Sequence, residues 1–357
     1  MAEPGSSLAI EENVALAPFT SIGVGGPARF LARARSEEHI LQSLLFAEKR
    51  GCPVFVLGGG SNILISDSGF PGLVVKVELG GIRATADGRV SAAAGEDLDT
   101  LIRLCIDKNL AGLECLSGIP GTVGGAPIQN VGAYGDEAGE VISLVRVFDR
   151  RSNRILELGA SDCRFGYRSS IFNTEERERY IILEVEFALR PGGTPHLRYE
   201  ELRRRFAARS SIPSVGEVRE AVLQIRRSKA MVLSENDPDS RSVGSFFKNP
   251  VLDSDQADRV EQAARRRGLL RTSERIPRFV IGPGKQKLPA AWLIERAGFS
   301  KGYCCGRAAI SGKHALALIN RGGASAEEIL TLMQRIQERV RETFEIDLRP
   351  EPVFVGF

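Results

Sequence analysis

The chain has 357 residues, long enough for two or three domains that each bury a core, and its 48 basic and 45 acidic side chains leave a net charge of +3. That balance gives no ground for a nucleic-acid-binding protein, and no stretch approaches the ~18 consecutive apolar residues of a membrane span. The 38 glycines exceed the average share of about 7% and point to tight turns and close backbone approaches.

Residues 1–17, small and acidic without a clear period, read as a flexible lead-in, and Met1 to Ser7 lack the basic region and apolar core of an export signal. Structure is expected from about Phe19. Between Glu37 and Arg50 the residues Ile40, Leu41, Leu44, Leu45 and Ala47 recur at helical spacing, and Gly51 ends the pattern. Pro53 to Leu57 reads as a buried strand running into Gly58-Gly59-Gly60-Ser61-Asn62, and a second apolar run follows at Ile63 to Ile65. Short strands are expected at Leu73 to Val77 and Val90 to Ala94, and a helix at Leu98 to Lys108. Strand-like stretches at Val141 to Asp149 and Tyr180 to Leu189 flank a polar segment containing Tyr167-Arg168. Helical runs follow at Glu200 to Arg209 and Val218 to Lys229. Ser325 and Glu328 form a capping box for a helix whose residues Ile329, Leu332, Met333, Ile336, Val340 and Phe344 share one face. An extended tail, Ile346 to Phe357, carries Glu351 between two prolines. The texture is α+β.

The six cysteines, Cys52, Cys105, Cys115, Cys163, Cys304 and Cys305, form neither a C-x-x-C pair nor a compact framework, so reduced thiols in the cytoplasm are the simplest account and no metal site is expected. Arg203-Arg204-Arg205 and Arg265-Arg266-Arg267 have carboxylates nearby and read as solvated helix faces rather than phosphate-binding patches. His39, His196 and His314 are isolated from one another, so no Ser-His-Asp or Cys-His arrangement supports acyl chemistry.

Glycine-rich turns after strands expose backbone N–H groups that can wrap a pyrophosphate. Gly58 to Asn62 fits that need, as does Ser117-Gly118-Ile119-Pro120-Gly121-Thr122-Val123-Gly124-Gly125, which continues into Gln129-Asn130-Val131-Gly132-Ala133-Tyr134-Gly135. Either cluster by itself is as readily a set of ordinary turns; two, each beside apolar strands, favour a nucleotide. Gly23-x-Gly25-x-x-Ala28 formally matches a dinucleotide fingerprint, but no strand is expected before Gly23 and Pro27 interrupts the turn. Ser245 sits between Gly244 and Phe246-Phe247 with Lys248 three residues on. On spacing alone it is a backbone-bonding turn residue more readily than a catalyst.

The glycine loop at 58–62, Ser117 to Gly121, Gln129 to Gly135, Tyr167-Arg168, Gly244-Ser245-Phe246-Phe247-Lys248-Asn249-Pro250 and Glu351 together resemble the UDP-N-acetylenolpyruvoylglucosamine reductase family, in that family's order and over nearly the whole chain. The heptapeptide is the specific part; glycine clusters occur in other flavoproteins. The resemblance implies an α+β, FAD-binding fold of the vanillyl-alcohol-oxidase (PCMH-type) class. It implies a flexible 1–17, an FAD-binding domain over 18–225 in two subdomains split near 75, a substrate-binding domain over 226–345, and a tail at 346–357. It further implies that NADPH reduces FAD and that hydride passes to the enolpyruvyl double bond of UDP-N-acetylglucosamine enolpyruvate, giving UDP-N-acetylmuramate.

Carried over residue by residue, Ser245 is the proton donor, Arg168 stabilises charge on the substrate carboxylate, and Glu351 completes the catalytic set. Gly58, Gly59, Gly60, Ser61, Asn62, Ser117, Gly118, Gly121, Thr122, Gly124, Gln129, Asn130, Gly132 and Tyr134 are the expected FAD contacts, and Tyr167, Tyr199, Lys229 and Asn249 the expected contacts of the UDP-sugar. Ser61 and Asn62 stand where tethered relatives of the wider class often carry a histidine, which implies a non-covalent flavin. The stretch between Lys229 and Ser245, which carries Asp237-Pro238-Asp239-Ser240-Arg241, is longer than in some relatives, and the resemblance assigns no diphosphate contacts there. Two other readings remain: an FAD oxidase of sugars or alcohols on the same fold, which leaves the heptapeptide unexplained, and a non-catalytic nucleotide- or nucleic-acid-binding module using the helices around Arg203.

Overall fold

The computed structural model describes residues 8–271 and 273–357, so the expected lead-in at residues 1–7 lies outside the described residues. By its internal contacts the chain divides into two units. Among the described residues the first comprises 8–15, 27–60 and 70–232; the second comprises 16–26, 61–69, 233–271 and 273–357. The expected boundary at 225/226 falls inside the helix Val215–Ser228 and the tail at 346–357 belongs to the second unit.

In the first unit, one sheet orders its strands as Ile10–Ala15, Pro27–Ala34, Phe70–Val77 and Val54–Leu57. The first pair is antiparallel and the others are parallel. The helix Glu37–Arg50 makes the crossover that parallel strands require. Ser36 starts it by accepting the His39 amide at 3.2 Å, and Gly51, at φ 59°, ends it in the left-handed region where glycine is unstrained. The strand Ile10–Ala15 corrects the reading of residues 10–17 as unstructured. It is an edge strand whose Glu11, Glu12 and Asn13 are exposed, and Asn13 at φ 53° breaks the alternation that would have marked it.

The first unit's second sheet is antiparallel throughout, in the order Arg154–Gly159, Ile142–Asp149, Tyr180–Ala188, Arg89–Ala93, Ile82–Ala84. The change of sheet comes after Val77, since the strand containing residue 75 runs to that position. One apolar core serves both sheets, and the helix Leu98–Asp107 adds Leu98, Leu101, Ile102 and Cys105 to it at helical spacing. The helix expected from Val218 begins earlier, at Val215, because Ser214 and Glu217 form a capping box. The run expected to be helical through Arg209 stops at Phe206.

The second unit packs the helices Ser254–Arg266, Ala290–Arg296 and Ala326–Phe344 with two small antiparallel sheets. A further parallel pair joins Ile63–Ile65 to Val353–Val355. The 19-residue helix Ala326–Phe344 has the capping box read from Ser325 and Glu328, and all six residues of its predicted apolar face are buried. Asp67 adds to that N-terminus, its carboxylate accepting the amides of Ala326 at 2.8 Å and Glu327 at 3.0 Å. Gly23 follows a turn rather than a strand, with Thr20 Oγ1 accepting its amide at 3.1 Å.

Candidate active site

The strand Val54–Leu57 delivers Gly58 to the end of the parallel sheet, and the strand beside it places Lys76 opposite Leu57. Lys76 Nζ donates to the Gly58 carbonyl at 2.6 Å, and burial pushes the ammonium pKa down. A β-carbon on Gly58 would lie 2.9 Å from Thr122 Oγ1, and one on Gly59 would lie 2.5 Å from Gly121 Cα. The two glycine clusters therefore meet backbone to backbone, at a spacing only glycine allows. Thr122 Oγ1 is buried there without a hydrogen-bond partner among the described residues. A surface of bare amides with an unsatisfied hydroxyl beside it fits the diphosphate of a dinucleotide such as FAD.

The second cluster is held from behind. Gly118, at φ 73°, donates its amide to Asp99 at 2.6 Å, and Arg219 grips the same carboxylate through two 2.7 Å bonds. Ser117 is fully buried and gives both its hydroxyl, at 2.7 Å, and its amide, at 3.3 Å, to the Glu114 carbonyl, so it shapes the start of the loop. Gly124 packs against Ala94, donating to its carbonyl at 2.9 Å. Asn130 is 2% exposed and its amide is engaged by Glu137, Gly166 and Gly139, so it shapes the loop from within. Gln129 is half-buried in the same turn.

Arg168 is fixed by a 2.7 Å bond from Nη2 to the Gly132 carbonyl, and its guanidinium lies 5.4 Å from the Tyr167 ring centre. Tyr134 meets Tyr199 edge-on at 5.3 Å, and burial pushes the Tyr134 phenol up to about 12. Lys229 is paired with Glu201 at 2.9 Å. The first unit thus joins Gly58 and Gly59 to Gly121 and Thr122, Gly132 to Arg168, and Tyr134 to Tyr199.

In the second unit the heptapeptide is bound to the C-terminal strand through the backbone. Glu351 donates its amide to the Phe246 carbonyl at 2.9 Å, Lys248 donates to Arg349 at 2.9 Å, and Phe247 bridges Pro350. Asn62 joins the same place, its side chain donating to the Glu351 carbonyl at 3.3 Å and its own carbonyl accepting the Val353 amide at 3.0 Å. Ser61, Asn62, Ser245 and Glu351 therefore belong to one unit, although nearly 300 residues separate the first from the last. Asn249 accepts the Ala290 amide at 2.9 Å and caps the helix Ala290–Arg296. Ser245 is half-buried, Phe246 and Phe247 behind it are almost fully buried, and the Ser245 hydroxyl makes no hydrogen bond among the described residues. The turn reading required such a bond.

Sequence reasoning missed two residues here. Lys76 interrupts the apolar run Leu73-Val74-Val75, which was a legible signal of a special partner. Arg226, four residues after Val222, falls on the buried stripe of its helix; it is 7% exposed, its Nη2 donates to the Met231 carbonyl at 2.5 Å, its Nε has no hydrogen-bond partner among the described residues, and burial pushes its pKa down.

Residues 28–159 match an FAD binding domain model, and residues 237–355 match the UDP-N-acetylenolpyruvoylglucosamine reductase C-terminal domain model. A UDP-N-acetylenolpyruvoylglucosamine reductase of Thermobifida fusca is 43% identical over 351 residues, covering 96% of this chain and 97% of the relative. One from Nocardia farcinica is 44% identical over 357 residues, covering 99% and 91%. The crystal structure of a UDP-N-acetylenolpyruvylglucosamine reductase from Thermus caldophilus aligns with a TM-score of 0.68 at 25% identity, covering 98% of this chain and all of that one.

Proposed function

The chain belongs to the UDP-N-acetylenolpyruvoylglucosamine reductase family, and from that membership we propose how its residues divide the reaction. The protein is an FAD-dependent oxidoreductase that uses NADPH to reduce UDP-N-acetylglucosamine enolpyruvate to UDP-N-acetylmuramate in peptidoglycan precursor synthesis. Held by the glycine backbones at 58–60 and 118–124, FAD would supply the hydride chemistry that links NADPH to the substrate's vinyl carbon.

Ser245 then donates a proton to the neighbouring carbon, next to the carboxylate. A neutral serine is a weak acid, so it serves only where the acceptor is a strongly basic enolate-like species and the hydroxyl is already aimed. The observation that carries this assignment is the half-buried Ser245 hydroxyl with no hydrogen bond among the described residues, on a backbone pinned to Glu351. Arg168, held by Gly132 and Tyr167, balances charge on the substrate carboxylate. Glu351 orients the proton path. Tyr167, Tyr199, Lys229 and Asn249 receive the sugar nucleotide. The glycine backbones at 58–60 and 118–124 hold the cofactor, which stays untethered because Ser61 and Asn62 flank the loop.

This reading places the reaction in the cytoplasm with NADPH and the sugar nucleotide; among the described residues no helix is long and apolar enough to cross a membrane. It involves no metal and no nucleic acid. Arg204 is paired with Glu200 on an exposed face and Arg266 and Arg267 are exposed, which supports reading them as solvated helix positions, whereas Arg265 pairs with the buried Glu261.

The test is Ser245→Ala under anaerobic conditions. NADPH should bleach the flavin of the variant at close to the wild-type rate, while reoxidation by the enolpyruvyl nucleotide should slow by roughly 100-fold or more, the scale of a lost general acid. Equal loss in both halves makes Ser245 structural.

A further inference from the structure

The segment Asp237-Pro238-Asp239-Ser240-Arg241 has no part in the reaction as assigned above. We propose that Asp239 is a positioning residue for Ser245, acting through the turn formed by residues 311–317; the inference rests on Ser245 being the proton donor.

The physical path is short. Asp239 Oδ2 accepts two hydrogen bonds, from Ser311 Oγ at 2.8 Å and from the Gly312 amide at 2.8 Å. Ser311 is fully buried, and while its hydroxyl donates to Asp239 it accepts the amides of Lys313 at 3.0 Å and His314 at 3.3 Å. The turn closes on itself where Ser311 donates to the Ala317 carbonyl at 2.9 Å and Ala317 donates to His314 at 3.1 Å. Leu316, inside that turn, accepts the Phe246 amide at 2.8 Å, and Phe246 follows Ser245 directly. The carboxylate of Asp239 therefore shapes the turn that fixes the peptide immediately after the proton donor.

The other side of the serine is anchored to the same stretch of chain. Ser242 bridges Ile319, Asn320 donates its amide to the Arg241 carbonyl at 3.0 Å, and Ser21 Oγ donates to the Ser242 carbonyl at 2.6 Å. Gly244, at φ 78°, then turns the chain, its amide donating to Ser242 Oγ at 3.2 Å. Lys313 pairs with Asp237 at 2.7 Å, holding the start of the segment against the same turn. Residues 241–246 form no helix or longer strand, so these anchors substitute for a secondary-structure ladder. A hydroxyl that must deliver a proton tolerates little displacement, since an error on the order of 1 Å costs roughly 100-fold in rate.

The experiment compares Asp239→Ala and Asp239→Asn with Ser245→Ala and the Asp239→Ala/Ser245→Ala double variant, each as FAD-loaded full-length enzyme, by anaerobic stopped flow. Asp239→Ala should slow flavin reoxidation by the enolpyruvyl nucleotide roughly 10- to 100-fold. Reduction by NADPH should stay within about 2-fold, and the solvent deuterium isotope effect on reoxidation should rise as proton delivery becomes limiting. Asp239→Asn, whose amide oxygen can still accept from Ser311 and Gly312, should recover most of the rate, and the double variant should be no slower than Ser245→Ala. Ser311→Ala, which keeps the Gly312 bond, should show the same pattern more weakly and serves if Asp239→Ala does not fold. Equal slowing of both half-reactions, or additive losses in the double variant, would overturn the proposal. If Ser245→Ala reoxidises normally, the proton-donor assignment fails and this inference fails with it. If Ser245→Ala is impaired and Asp239→Ala is normal, the role of Asp239 alone is refuted.

Discussion

Replacing Gly59 by alanine would put a methyl carbon 2.5 Å from Gly121 Cα, 2.9 Å from the Gly121 carbonyl carbon and 3.0 Å from the Thr122 amide nitrogen. All three are backbone atoms, so none can swing aside as a side chain could. Carbon atoms rest at about 3.5–4.0 Å, and the two glycine clusters would have to part by roughly 1 Å. Overpacking of that kind costs about 1–3 kcal/mol. If FAD needs the native spacing, the whole cost falls on the bound state and weakens affinity about 5- to 150-fold, since ~1.4 kcal/mol is a factor of ten. If the apo-protein also holds that spacing, part of the cost appears as lost stability. Fluorescence titration of deflavo-protein with FAD, alongside the apo thermal midpoint, measures both. Gly216→Ala is the control, because its new methyl approaches nothing closer than 3.8 Å on the helix Val215–Ser228. It should leave FAD affinity unchanged and stabilise the helix by about 0.5–1 kcal/mol. A Gly59→Ala protein with normal affinity and normal stability, or two variants equally weakened, would refute the idea that the clusters form a cradle by close contact.

Lys76→Met removes the bond to the Gly58 carbonyl and should raise the FAD dissociation constant about tenfold or more, consistent with the ~1.5–3 kcal/mol of a charged hydrogen bond; equilibrium dialysis checks this. Glu261 is buried among Arg265, Arg275 and Arg278; burial pulls its pKa up, the three guanidinium bonds outweigh that, and the carboxyl ends at about 2. A depressed carboxylate contributes stability above its unfolded pKa and loses it as pH falls through the folded value. Stability should therefore drop between about pH 5 and pH 2 by on the order of 1 kcal/mol after screening, read as a fall in the thermal midpoint, and Glu261→Gln should flatten that fall. Ser325→Ala removes the cap of the helix Ala326–Phe344 and should lower stability by about 1 kcal/mol in urea unfolding, with little effect on FAD binding.

What could be read from the sequence was what local chemistry decides. The helix Glu37–Arg50 announced its face by periodicity and its end by Gly51, and Ser325 with Glu328 announced the start of the last long helix. The strand Ile10–Ala15 was hidden because its exposed edge carries glutamates and its alternation breaks at Asn13. The glycine clusters were legible as bare backbone, but their contact with each other belongs to the parallel sheet and appears only in three dimensions. Arg226 was hidden for a related reason: an arginine on a helix stripe looks like solvated surface until Tyr134 and the Gly118 turn are seen beside it. For Ser245 the sequence alone favoured a backbone-bonding turn residue, whereas its hydroxyl makes no hydrogen bond among the described residues. A Gly-Ser turn usually spends its hydroxyl on nearby backbone, and here Gly244 bonds to Ser242 instead.

The two units solve different problems with opposite means. Under the proposed assignment a diphosphate is recognised by many donors of modest strength, and the first unit's loops are bare backbone braced from behind by Lys76 and the Asp99–Arg219 pair. Under the same assignment proton delivery depends on one weakly acidic hydroxyl, which makes no hydrogen bond among the described residues while Leu316, Ile319 and Glu351 fix the backbone around it. Damage to each should therefore have its own signature. Substitutions behind the glycine loops should appear in FAD affinity with the ratio of the half-reactions preserved, whereas substitutions behind Ser245 should leave FAD content and NADPH oxidation intact and slow only the return of colour. A residue from either group that produces the other group's signature would show that the division of labour has been drawn in the wrong place.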